Sequence, residues 1–201
     1  MKRCTKVYEN NYKNPKSTNK EDLETFLQLI ANLNTEITLF AIGGTAMLLK
    51  NIKESTKDID FITTLDYKTI NQLFKKAGLK EQNSSQLCNI WYLDNIRIDL
   101  FYDNFIMGVK FPKDWINQSE HLRNIGKIRL YILNWYDIII TKIARSEERD
   151  IEDILAIMRV QKLNLSFLKN RYYQIAETSL IADYNLKFKH FKREYDKSKT
   201  D

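Results

Sequence analysis

From Asn19 onward, apolar residues recur first at helical and then at strand spacing. Leu23, Phe26, Leu27, Ile30 and Leu33 fall three or four apart behind Glu21, Asp22 and Glu24. Acidic side chains suit the positive end of a helix dipole, so the spacing predicts a helix over about 20–33. Ile37–Ile42 is a short apolar strand that runs straight into Gly43 and Gly44, and Thr45 to about Glu54 reads as a second helix with Ala46, Leu48 and Leu49 among its apolar residues. Asp58–Thr63 alternates polar and apolar positions, as a strand with one buried face does. Tyr67–Lys76 has helical spacing and is closed by Gly78. Leu87–Leu93 and Ile96–Tyr102 are strands joined by Asp94 and Asn95, a hairpin without the usual glycine, and Lys127–Leu133 adds another strand. After Asn134 the period is helical through Tyr136–Ser146, Asp150–Val160, Ser166–Thr178 and Ile181–Tyr195.

This order predicts an α/β (α+β) fold: a polar, Asn-rich arm over 1–18, a small mixed sheet flanked by helices over 19–133, and a C-terminal helical region over 134–201. There is no internal repeat. With 201 residues, 43% of them hydrophobic, the chain can bury a core without disulfides or a structural metal. Five glycines and two prolines exclude collagen-like and low-complexity chains. Cys4 and Cys88 match neither a disulfide framework nor a zinc signature, and His121 and His190 read as surface residues rather than ligands. The first twenty residues lack the apolar core of a secretion signal, and no run approaches the roughly 18 apolar residues of a membrane span. The expected compartment is a reduced cytoplasm. Lys plus Arg is 32 against 26 for Asp plus Glu, and the resulting charge of +6 favours polyanions without naming one.

The chemistry concentrates in Phe40–Ile62. A strand that ends in two glycines and opens a helix brings backbone close to a ligand and points unpaired amides at it, which binds phosphate without a side chain. Alone, such a pair is more often just a tight turn. Asp58 and Asp60 then follow, two positions apart on a strand and so on one face, with Ile59 and Phe61 on the other. Paired carboxylates repel unless a cation sits between them, and oxygen ligands of this kind suit magnesium, although a solvent-exposed Asp-x-Asp needs no metal. A phosphate cradle facing a magnesium pair is an arrangement for phosphoryl or nucleotidyl transfer.

In these residues the chain resembles the nucleotidyltransferase superfamily related to DNA polymerase β, whose motif is an apolar residue, Gly-Gly or Gly-Ser, a short spacer and Asp-x-Asp. The resemblance implies a small mixed nucleotidyltransferase sheet and an NTP substrate whose phosphates lie on the amides of Gly43, Gly44 and Thr45. It also implies Mg2+ (or Mn2+) held by Asp58, Asp60 and a third carboxylate on a later strand. Asp99, in IRIDLFY, matches best; there Arg97, Asp99 and Phe101 share one face, whereas Asp94 and Asp103 lie at strand ends. The reaction implied moves an NMP from the NTP to an acceptor hydroxyl and releases pyrophosphate, with Asp99 helping to deprotonate the nucleophile.

A second stretch, KIARSEERDIEDI from Lys142 to Ile154, looks like the lysine and Asp-x-x-Asp motifs of the AbiEii and MenT toxin branch. By that resemblance Lys142 contacts nucleotide phosphates, and Asp150 and Asp153 support the site by orienting Lys142 or Arg145. The acceptor implied is a tRNA 3′ end or other RNA, with a protein hydroxyl or a small molecule such as an aminoglycoside as alternatives, and the partner implied is a cognate antitoxin. Read without the resemblance, Lys142, Arg145 and Arg149 are a solvated helix face pairing with Glu147 or Glu148, and Asp150 and Glu152 complement a helix N-terminus. Ile151, Ile154, Leu155 and Met158 are the buried stripe of that helix.

A competing reading from another class is a nucleotidyltransferase-like scaffold that binds nucleotide or a partner protein without turnover. A DNA-binding regulator finds no helix-turn-helix here to support it. Near the C-terminus, Lys187, Lys189, Lys192, Arg193, Lys197 and Lys199 interleave with Phe188, Phe191 and Tyr195. That pattern fits nucleic-acid contact and, nearly as well, a terminal helix packing its aromatic edge inward. Tyr131, Trp135 and Tyr136 read as core or interface aromatics, with stacking on a base as the alternative.

Overall fold

The computed structural model describes residues 17–85 and 88–199. Most of the expected arm, and the Leu87 start of one expected strand, lie outside the described residues. Thr18–Asn19 (β1) is a short strand, and Asn19 then caps helix α1 (Lys20–Ala31) by accepting from the Asp22 amide at 2.9 Å while the Asp22 carboxylate accepts from the Asn19 amide at 3.1 Å. The helix buries Leu23, Phe26, Leu27 and Ile30, which are on the expected stripe.

Strand β2 (Ile37–Ala41) leads into helix α2 (Gly43–Leu49). This helix starts two residues before the expected Thr45 and stops well before Glu54, because the chain turns at Asn51 (φ +55°) to lay β3 (Ser55–Thr56) antiparallel to β1. Strand β4 (Ile59–Thr63), helix α3 (Tyr67–Lys76), β5 (Lys80–Ser84), β6 (Cys88–Leu93) and β7 (Ile96–Tyr102) follow, with Asp94 in the left-handed conformation at the β6–β7 turn. A two-residue ribbon, β8 (Phe105–Ile106) with β9 (Val109–Lys110), precedes β10 (Glu120–Ile125) and β11 (Ile128–Ile132). Four helices complete the chain: α4 (Trp135–Arg145), α5 (Glu148–Gln161), α6 (Leu165–Ala176) and α7 (Tyr184–Lys197). The last begins three residues later than its spacing suggested, since Ile181 is buried before the helix starts.

The main sheet has seven strands in the order β10-β11-β2-β4-β7-β6-β5. Its β11–β2 and β4–β7 pairs are parallel and its other pairs antiparallel, so the sheet is mixed. Ile59, Phe61 and Ile62 of β4 and Ile98 and Leu100 of β7 are fully buried in its middle. On one side Phe26 lies 6.2 Å from Phe61 and 5.9 Å from Phe74, and elsewhere Phe40 packs at 4.6 Å on Trp115 and 5.0 Å on Tyr131. Tyr131, Trp135 and Tyr136 are thus packed aromatics; Trp135 is buried and Tyr136 sits 4.7 Å from Phe167. Asp137, wholly buried on α4, receives both Nε and Nη2 of Arg171 at 2.6 and 2.7 Å and so ties α4 to α6. Among the described residues no helix is long and apolar enough to cross a membrane.

Candidate active site

The site is built where β2 gives way to α2 beside the start of β4. Ile42 donates its amide to the Asp60 carbonyl at 3.2 Å, and Gly43 turns into the left-handed region (φ +53°) immediately after. A Cβ at Gly43 would stand 3.2 Å from Asp60 Oδ2, so the glycine backbone lies directly against that carboxylate. Gly44 is a glycine for a different reason: a Cβ there would fall 2.1 Å from Thr56 Oγ1 and 2.8 Å from Thr56 Cβ. Thr45 is fully buried, and its Oγ1 accepts from the Asp60 amide at 2.8 Å, which fixes the first turn of α2 to the head of β4.

Three aspartates lie on or beside this strand pair. Asp60 and Asp99 are register partners on the parallel strands β4 and β7, and Asp58 precedes β4. Asp99 is buried and receives Arg97 Nε and Nη2, each at 2.7 Å, while Arg97 Nε also lies 3.8 Å from Asp58. Burial raises the Asp58 carboxyl above its ordinary value, with Asp99 adding to the effect and Arg97 opposing it. Asp60 is pushed up much further, by burial and then by the negative charge of Asp99 and Asp58, against a weaker downward pull from Arg145 and Lys142. The nearby Cys88 thiol is pushed up to about 12 by burial and by Asp99 and Asp60.

A basic network lies on the α4–α5 side. Lys142, only 3% exposed, donates to Asp153 Oδ2 at 2.6 Å and lies 3.5 Å from Asp150 Oδ1. Arg145 binds both oxygens of Asp150 at 2.5 and 3.0 Å, and Asp150 also accepts the Glu147 amide at 3.0 Å in a capping box. Burial would raise Asp153, but the charge and hydrogen bonds of Lys142 and Lys53 outweigh it and hold the carboxyl below its usual value. The solvated-face reading therefore fails for Lys142, which is buried in an ion pair, and holds for Arg149, which pairs with Glu147 at 2.9 Å near the surface. Lys53, which donates to Asp153 Oδ1 at 2.8 Å, carries no motif signal in the sequence. Arg97 had only its i, i+2 spacing from Asp99 to mark it.

Among the described residues, no three His, Cys, Asp or Glu side chains converge as a ready-made metal cluster. The donor set at Asp58 and Asp60 nevertheless fits a hard divalent cation. Both offer carboxylate oxygens whose ionisation is opposed by burial and by the charge of Asp99. Among the described residues, moreover, the Asp60 carboxylate accepts no hydrogen bond and makes no ion pair.

A mixed sheet carrying paired aspartates beside a strand–Gly-Gly–helix turn defines the nucleotidyltransferase fold. Solved structures with this fold include the lincosamide antibiotic adenylyltransferase LnuA with lincomycin bound, 14% identical over 70% of this chain and 97% of that one at a TM-score of 0.53. The antibiotic-resistance factor ANT(2″)-Ia in solution is 9% identical over 80% and 94% of the two chains at a TM-score of 0.60. JHP933 from Helicobacter pylori is 16% identical over 85% and 82% at a TM-score of 0.51. At these identities the likeness is one of fold, and a comparison with curated proteins gives no match. The chain belongs to the family described as nucleotidyltransferase of unknown function (DUF6036), whose model matches residues 20–201.

Proposed function

We propose that this nucleotidyltransferase moves a nucleoside monophosphate from an NTP to an acceptor hydroxyl. The hydroxyl oxygen gives up its proton and bonds to the α-phosphorus, the bond from that phosphorus to the α,β-bridging oxygen breaks, and pyrophosphate leaves. Asp58 and Asp60 would hold Mg2+ (or Mn2+), which supplies charge neutralisation at the attacking and leaving oxygens. The observation that carries this reading is the Asp60 carboxylate, which has no direct hydrogen-bond or ion-pair partner among the described residues, is set in register with Asp99 and is pressed against the Gly43 backbone. The amides of Gly43, Gly44 and Thr45 face the phosphates. Asp99, in register with Asp60, is the carboxylate assigned to complete the cation's shell or take the hydroxyl proton, and Arg97, bound to both its oxygens, sets its orientation.

One carboxylate, Asp153, is shared by two lysines, so that network keeps an excess of positive charge for the triphosphate. Lys142 lies beneath Asp153 and orients it; direct phosphate contact falls to Lys53 and Arg145, whose side chains are 36% and 27% exposed. The acceptor we favour is an RNA 3′ end in a cytoplasmic enzyme of the AbiEii and MenT type, controlled by a cognate antitoxin. Support for that branch is the joint presence of the Lys142–Asp153 and Arg145–Asp150 pairs.

One observation favours a non-catalytic scaffold instead: Arg97 occupies both oxygens of Asp99. Pyrophosphate release from each NTP with Mg2+ or Mn2+ and cellular RNA separates the two. Release that stops on chelation supports transfer; metal binding without release across a panel of acceptors supports the scaffold.

A further inference from the structure

The basic, aromatic C-terminal stretch takes no part in the site above. Helices α6 and α7 pack through Tyr172, Tyr173, Phe188 and Phe191, and beside that seam lies an open groove of about 710 Å³. Lys169 and Tyr173 contribute from α6, and Lys189, Lys192, Arg193 and Asp196 from α7. Positive side chains in its lining outnumber negative ones five to one, and the single acid, Asp196, is already held by Lys192 at 2.5 Å. Lys169 and Lys189 are exposed, one on each helix, and among the described residues neither has an ion-pair partner. Tyr173 is half-buried and lines the same groove.

Uncompensated cations flanking an aromatic wall match the chemistry of a single nucleic-acid strand, whose phosphates take the charge and whose bases take the ring. An acidic peptide would use the cations and leave the ring idle. The helix that forms one wall of the groove also packs, by another face, against the catalytic side. Lys187 donates its ammonium to the Ala144 carbonyl, in the α4 turn that carries Lys142 and Arg145. From Lys187 to Lys197 the helix advances only about 15 Å.

We infer that the α6–α7 groove binds single-stranded RNA and docks the acceptor strand. Its purpose rests on the transfer reaction proposed above; its binding does not. The test is fluorescence anisotropy of a short labelled single-stranded RNA titrated with the full chain, without NTP or metal, over a salt series. Log affinity is expected to fall linearly with log salt, by about 0.7 per phosphate engaged. Lys169→Glu/Lys189→Glu lowers affinity at least about tenfold and flattens that slope. Tyr173→Leu lowers affinity by about tenfold at unchanged slope. Melting curves of the variants report that they remain folded. RNA affinity unaffected by the charge reversal overturns the inference. So does polyglutamate binding as tightly as RNA with no response to Tyr173→Leu, which would make the groove a surface for an acidic protein. Because no nucleotide is added, lost RNA binding and absent pyrophosphate release are read separately.

Discussion

Asp60 and Asp99 are register partners on parallel strands, yet Arg97 binds Asp99 and leaves the Asp60 carboxylate, among the described residues, without a direct ion pair, with only a weaker pull from Arg145 and Lys142. The folded chain therefore holds a proton on Asp60 more tightly than the unfolded chain does. A carboxyl raised by folding contributes stability that is complete below its unfolded value, 3.8, and is lost as pH rises through the folded value. Asp60→Asn should consequently raise the melting temperature of the metal-free protein at pH 7, by about 0.5–2 kcal/mol of stability, and make no difference near pH 4. Added Mg2+ should stabilise the native chain at pH 7 and leave Asp60→Asn unmoved. A Tm difference independent of pH contradicts the assignment.

Gly44 is held by packing against Thr56. Gly44→Ala drives a methyl into Thr56 Oγ1 and Cβ, and Thr56 cannot retreat freely because β3 pairs with β1. The expected loss is about 1–3 kcal/mol in urea denaturation. Adding Thr56→Gly should return most of it, whereas an unchanged deficit would place the strain elsewhere.

Asp153 carries the opposite pH signature to Asp60. Its carboxyl is held low by Lys142 and Lys53 despite burial, so its contribution is present above the unfolded value of 3.8 and disappears as pH falls through the folded one. Asp153→Asn leaves the Lys142 ammonium buried without its closest partner, and should lose about 3–5 kcal/mol at pH 7. The deficit should shrink in acid. Lys142→Met in the same chain should recover much of it, which a double-mutant cycle measures.

The Arg171–Asp137 pair makes a purely structural prediction. Arg171→Met strands a fully buried carboxylate and should lose about 3–5 kcal/mol, while the double variant Asp137→Leu/Arg171→Met should return close to native stability. Such loss would come without any change in nucleotide affinity in the fraction that remains folded.

Apolar periodicity made α1, β2, β4, α3 and β7 legible, because each buries a face whose spacing is set by its own backbone. Edge strands β5 (KEQNS) and β10 (EHLRNI) were not, since polar residues occupy them and pairing comes entirely from neighbours distant in sequence. The Asp58, Asp60 and Asp99 grouping could be read from alternation and spacing. Lys53 could not, because its partner Asp153 is 100 residues away and only the folded chain brings them together. Nor could the burial of Lys142, whose repeat with Arg145 and Arg149 is equally the pattern of an exposed face.

The central claim is tested most directly by incubating native chain and Asp60→Ala with each α-labelled NTP, Mg2+ and cellular RNA, following label transfer and pyrophosphate together. The account predicts that native protein labels RNA 3′ ends and releases pyrophosphate in equal amount, and that Asp60→Ala, still folded, is slower by about 10²-fold or more. Equal labelling by the two proteins would contradict it.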